Sequence, residues 1–144
     1  ELLLILGDEL RLKADRLAPK YIALALWAYG TLQTLPPPPV MAALEAQAVQ
    51  CARAFNPQDL SNTLWALATL KHPLEPGLAA ALERQVATEA HNFEPQGLAN
   101  VVWAWARLGH VPAPQALDAL AAKLQQQHVS ATGTPFPHSI VTTQ

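Results

Sequence analysis

Trp27, Trp65 and Trp103 stand 38 residues apart, and a chain that keeps one bulky aromatic at so long and regular an interval is built from a repeated unit. The prolines keep the same interval. Pro19, Pro57 and Pro95 form one series, Pro38, Pro76 and Pro114 a second, and Leu44, Leu82 and Leu120 follow in step. Thirteen prolines in 144 residues would wreck a helical fold if scattered, because a proline inside a helix removes a backbone donor and clashes with the preceding turn. At a fixed interval they can instead open helices, since the first-turn N–H has no intrahelical partner to lose.

Aligned on this interval, the first half of each unit reads APKYIALALWAYGTL from Ala18, NPQDLSNTLWALATL from Asn56 and EPQGLANVVWAWARL from Glu94. Each predicts one helix, with proline in the first turn and Asn56 placed to cap its helix. Leu60, Leu64 and Leu67, and then Leu98, Val102 and Trp105, recur at helical spacing and predict a buried stripe. The second half opens at Pro38, Pro76 or Pro114 and predicts another helix, with Leu44, Val49, Leu82, Val86, Leu120 and Leu124 as its larger packing groups. Each unit is therefore a helical hairpin that must stack on its neighbours to complete a core. The expected fold is an all-α solenoid: a partial repeat over 1–17, full units over 18–55, 56–93 and 94–130, and an extended tail over 131–144. In the tail Gly133 and Val141 break the register.

Charge limits the function classes. Nine Lys and Arg face eleven Asp and Glu, a formal net charge of -2, so no bulk field draws the chain to nucleic acid or to an anionic membrane. The apolar run Leu2 to Leu6 is too short to span a bilayer and follows no basic segment, so membrane insertion is not expected, and the chain reads as starting inside a repeat. The single cysteine, Cys51, excludes an intrachain disulfide and predicts a packing thiol. His72 and His110 are one repeat apart and form no ligand motif with His91, His128 or His138. No phosphate-cradling glycine loop or nucleophile elbow is present. These readings predict no enzyme, no metal and no cofactor, with Glu45 and Glu83 as ordinary helix-surface carboxylates.

The segment from Phe55 through Asn56-Pro57-Gln58 to Asn62, Leu64-Trp65-Ala66, and its counterpart from Phe93 through Pro95-Gln96 to Asn100 and Trp103-Ala104, closely resembles the octotricopeptide repeat family, whose period is 38 residues. The resemblance implies a right-handed α-α superhelix in a mitochondrial or chloroplast protein. Its implied partners are an organellar transcript or ribosomal RNA and the neighbouring proteins of a ribonucleoprotein assembly. The implied function is support of RNA maturation, stability or translation, including as a component of an organellar ribosome. It also places base recognition at polar positions of the first helices, here Lys20, Gln58, Ser61, Asn62, Gln96 and Asn100. Gln and Asn can read base edges with paired donors and acceptors, or equally complete caps and bonds between repeats. Arg53, Lys71, Arg84, Arg107 and Lys123 join Lys20 as candidates for phosphate contacts, with a scattered solvated face as the alternative. Leu24 replaces the amide of Asn62 and Asn100 in the first full unit. Trp27, Trp65 and Trp103 are expected to pack between hairpins, with a loss of about 3–5 kcal/mol on truncating Trp65 if it is fully buried. Two functions remain open, RNA binding and protein scaffolding.

Overall fold

The structure, a computed structural model, describes residues 2–130. The expected tail over 131–144 lies outside them. The described residues form an all-α fold of seven α-helices: α1 (Leu2–Lys13), α2 (Pro19–Thr31), α3 (Pro38–Gln50), α4 (Pro57–Thr69), α5 (Pro76–Glu89), α6 (Pro95–Leu108) and α7 (Pro114–Ser130). One-turn 3₁₀ segments, Ala14–Arg16, Ala52–Ala54 and Ala90–Asn92, follow α1, α3 and α5.

Proline opens each helix from α2 onward. At α4 the start is reinforced by a reciprocal cap: the Asp59 N–H donates to Asn56 Oδ1 at 2.8 Å, and the Asn56 N–H donates to Asp59 Oδ2 at 3.1 Å. At α5 the Glu75 carboxylate accepts from the N–H groups of Gly77 and Leu78.

The ends of α2, α4 and α6 are equally regular. Gln33, Lys71 and Gly109 all adopt positive φ, at 51, 55 and 66°. Beyond them the N–H groups of Thr34, His72 and His110 reach back to the carbonyls of Tyr29, Leu67 and Trp105 at 3.1, 2.9 and 2.9 Å. This is a left-handed helix cap whose αL residue is best as glycine, because a Cβ there crowds the following carbonyl. Lys71→Gly is therefore expected to raise stability by about 0.5–1 kcal/mol, read as a higher midpoint in thermal or urea unfolding.

Helices pack with their equivalents. α4 lies between α2 and α6 in one layer, while α1, α3, α5 and α7 follow one another in a second. Leu44, Leu60, Leu64, Leu67, Leu82 and Leu98 are fully buried between the layers, and Phe55 and Phe93 seal the junctions after the 3₁₀ turns. The approach of α2 to α4 depends on Gly30: a Cβ there would stand 3.2 Å from the Ala66 Cα and from the Trp65 ring.

Several packing expectations are corrected by the position of each helix in its layer. On α6 the buried stripe runs through Leu98, Val101 and Trp105, and Val102 is exposed, although its equivalent Leu64 is buried. The reason is geometric: α6 covers Leu64, and no helix among the described residues covers α6 in the same way. Val49 is exposed as well. Trp65 and Trp103 are half-buried against the core, Trp27 is 43% exposed, and the fully enclosed tryptophan is Trp105. Full burial, the condition for a large loss on truncating Trp65, is therefore not met. Cys51 is half-buried at the end of α3, and desolvation pushes its thiol pKa up.

Candidate nucleic-acid interface

The N-terminal ends of α4 and α6 enclose a groove of about 500 Å³. Its geometry begins at Gly97. A Cβ at this position would stand 3.1 Å from the Phe93 ring and 3.2 Å from Ser61 Oγ, so glycine lets the first turn of α6 settle onto α4. The Ser61 hydroxyl donates to the Gly97 carbonyl at 3.3 Å and ties the two helices together there. Ser61, Gly97 and the buried Phe93 thus form the inner wall.

The outer wall is polar. Gln58, Gln96 and Asn100 line it with Asn92 and Glu94. Gln58 Nε2 donates to Asn62 Oδ1 at 3.0 Å, one helical turn on, so Asn62 serves to orient Gln58. The start of α4 is capped by Asn56, and neither Gln58 nor Gln96 takes that role. Gln96 and Asn100 make no side-chain hydrogen bond to the described residues. Glu94 occupies the cap position of α6 but its carboxylate makes no capping bond, leaving an acceptor beside two unengaged amides.

Four of the candidate residues, Gln58, Ser61, Gln96 and Asn100, are therefore brought together, with Asn62 attached to them by a bond. Lys20 is exposed in the first turn of α2, one repeat earlier, and Arg53 is exposed in the 3₁₀ turn that leads into α4. The remaining basic candidates do not converge on the groove. Lys71 and Arg107 lie at the opposite ends of α4 and α6, about 20 Å away at 1.5 Å rise per residue. Arg107 stacks over the Trp103 ring at 5.5 Å, and Arg84 is exposed in the second layer. Among the described residues no lysine or arginine lines the groove. Its chemistry suits the edge of a planar polar ring better than a phosphate, which Glu94 would repel.

Asn92, Phe93 and Glu94 are missed when the first helices alone are scanned, because they precede the proline that opens α6. A second omission concerns glutamates. Glu45 and Glu83 are not ordinary surface carboxylates: His72 Nε2 lies 3.2 Å from Glu45 Oε1, and His110 Nε2 lies 2.8 Å from Glu83 Oε1. Glu83 also accepts from the Ala113 N–H at 3.1 Å, so these pairs fasten the segment after α4 or α6 to the helix before it. The shared spacing of 27 residues is the signal that finds them. Among the described residues no group of three His, Cys, Asp or Glu could hold a metal ion, and no helix is long and apolar enough to cross a membrane.

Comparison with known proteins gives one family. The family described as "Tbc2 translation factor, N-terminal domain" matches residues 38–131. No curated protein and no solved structure matches the chain. The match overturns the resemblance to the octotricopeptide repeat family, since the family found is a different one. The RNA-binding and ribosomal-protein terms that came with that resemblance lose its support, and any RNA role has to be argued from the groove itself. The motif behind the resemblance lies in α4 and α6, whereas the match runs from α3 through α7.

Proposed function

The chain belongs to the Tbc2 translation factor N-terminal domain family, and on that premise we propose that it holds single-stranded RNA in the service of translation, reading a base in the groove between α4 and α6. In this reading the layered helices form a right-handed superhelix of 38-residue hairpins, and the groove lies where the polar ends of two successive first helices, α4 and α6, meet. The observation that carries the proposal is the pair of unengaged amides, Gln96 and Asn100, beside the uncapped Glu94. Two amides and a carboxylate offer donors and acceptors at the rim of a preformed cleft, the groups that recognise base edges in unpaired RNA. A protein-scaffolding role draws on a separate observation, the apolar faces at the two ends of the helix layers.

The test is fluorescence anisotropy with a labelled, randomised single-stranded RNA. Gln96→Ala and Asn100→Ala each remove one side of a two-point contact and are expected to weaken binding about tenfold, with helicity unchanged. Arg16, Lys20 and Arg53 are exposed at this end of the layer and Lys123 reaches the turn before α6, but none of them lines the groove, so the logarithm of affinity should fall with the logarithm of salt at a shallow slope of about -1 to -3. Undiminished binding in the double variant, or a loss confined to Lys71→Ala and Arg107→Ala, would overturn the reading.

A further inference from the structure

Glutamate behaves differently at two helix starts. Glu75 holds the cap position of α5 and folds back on its own helix, the carboxylate accepting from the N–H groups of Gly77 and Leu78 at 3.1 and 3.0 Å. Glu94 holds the cap position of α6 on an equally extended backbone, yet its carboxylate makes no capping bond, and no hydrogen bond or ion pair among the described residues engages it. Instead it lines the cleft with Gln96 and Asn100. One repeat earlier the equivalents of Glu94 and Gly97 are Asn56 and Asp59, which bond each other in the reciprocal cap of α4. The free carboxylate thus belongs to the cleft between α4 and α6, which lies between two packed helices and not on an outer face of the fold.

This carboxylate decides what the amides leave open. Gln96 and Asn100 stand one helical turn apart, and each amide carries both donor and acceptor and can turn over to present either. Two amides alone therefore fit the edge of any base. A carboxylate only accepts. Among the bases of RNA, guanine alone sets two donors side by side, N1–H and the N2 amino group, with O6 next to them as an acceptor. Adenine and cytosine place a ring-nitrogen acceptor beside their amino group, and uracil flanks its one N–H with two carbonyl oxygens. Resting on the reading of the groove as a base site, we propose that the base it selects is guanine: the Glu94 carboxylate accepts from N1–H and from the N2 amino group, and the amide NH₂ of Gln96 or Asn100 donates to O6. Every other base turns a lone pair toward the carboxylate, and that repulsion makes the choice.

Fluorescence anisotropy of the full chain with short labelled oligouridines that differ in one central base tests it. The guanine oligonucleotide is expected to bind about tenfold tighter than those with adenine, cytosine or uracil, and inosine, which keeps N1–H and O6 but lacks the N2 amino group, should fall between. Glu94→Gln exchanges the acceptor-only group for another amide, so the preference should shrink to about twofold or less. Helicity and melting temperature should stay at wild-type values, because Glu94 is exposed and caps nothing. Unlabelled guanosine should displace the guanine oligonucleotide only at far higher concentration than the unlabelled oligonucleotide does. Equal affinity for all bases, or a guanine preference that survives Glu94→Gln unchanged, overturns the guanine assignment while leaving base reading in place wherever Gln96→Ala and Asn100→Ala still weaken binding. Guanosine as effective as the oligonucleotide would make the occupant a free nucleoside and overturn the assignment to RNA. Binding indifferent to Gln96→Ala and Asn100→Ala overturns both readings together.

Discussion

Phe93→Ala is expected to lower the free energy of unfolding by about 3–5 kcal/mol, the range for deleting an enclosed aromatic ring and leaving its cavity. Phe93 is 2% exposed and stands where the 3₁₀ turn after α5 hands the chain to α6. Its ring also meets the place where a Gly97 Cβ would stand, so it sets how deeply the first turn of α6 lies against Ser61. The loss should therefore appear twice, as a lower midpoint in urea unfolding and as weaker RNA binding from a misplaced groove wall. Phe55→Ala, at the equivalent junction before α4, is the matched control: a similar loss of stability with less effect at the groove. A loss below about 1 kcal/mol for Phe93→Ala would show that the junction can collapse around the gap.

Gln85→Leu is expected to cost about 2–4 kcal/mol, because it leaves two carbonyls without their partner. Gln85 is buried on α5, and its Nε2 donates to the Phe55 carbonyl at 2.8 Å and to the Arg53 carbonyl at 3.1 Å. Those carbonyls belong to the turn that leads into α4, so one side chain satisfies the backbone where two hairpins join. The same position supplies Gln47 one repeat earlier, donating to the Leu17 carbonyl at 3.1 Å, and Lys123 one repeat later, donating to the His91 carbonyl at 2.8 Å. Gln47→Leu removes a single, less buried bond and should cost about 1 kcal/mol in the same unfolding measurement. Equal losses at the two positions would mean that the second bond of Gln85 contributes nothing.

These side-chain ties explain which parts of the fold can be read from the sequence. Helix starts were legible because proline is confined to first turns by its own covalent geometry, wherever the helix then packs. Leu44, Leu82 and Leu120 were legible because helices lie on or between their equivalents at all three positions. Val102 and Trp27 were not: a period states that residues are equivalent, and it does not state which helix has a neighbour over that face. Gln85 and the Glu–His pairs escaped for a related reason, since they join residues 27 to 32 positions apart across helix layers and leave no mark in helical periodicity. The candidate site was half visible. Gln58, Ser61, Gln96 and Asn100 follow from the repeat motif, but the acidic rim at Glu94 and the part of the wall made by Phe93 depend on how closely α6 approaches α4. The family, in turn, was misjudged because the residues behind the resemblance lie in α4 and α6, whereas the match also takes in α3, α5 and α7.

The side-chain amide resonances of Gln58, Asn92, Gln96 and Asn100 report directly on the groove, and at 15.5 kDa the chain suits NMR titration with single-stranded RNA. The account predicts that these NH₂ signals and the backbone amides of residues 92–100 shift together and saturably, while those around Lys71 and Arg107 stay in place. Shifts confined to the ends of the helix layers, or none at the groove when RNA is bound, would contradict it.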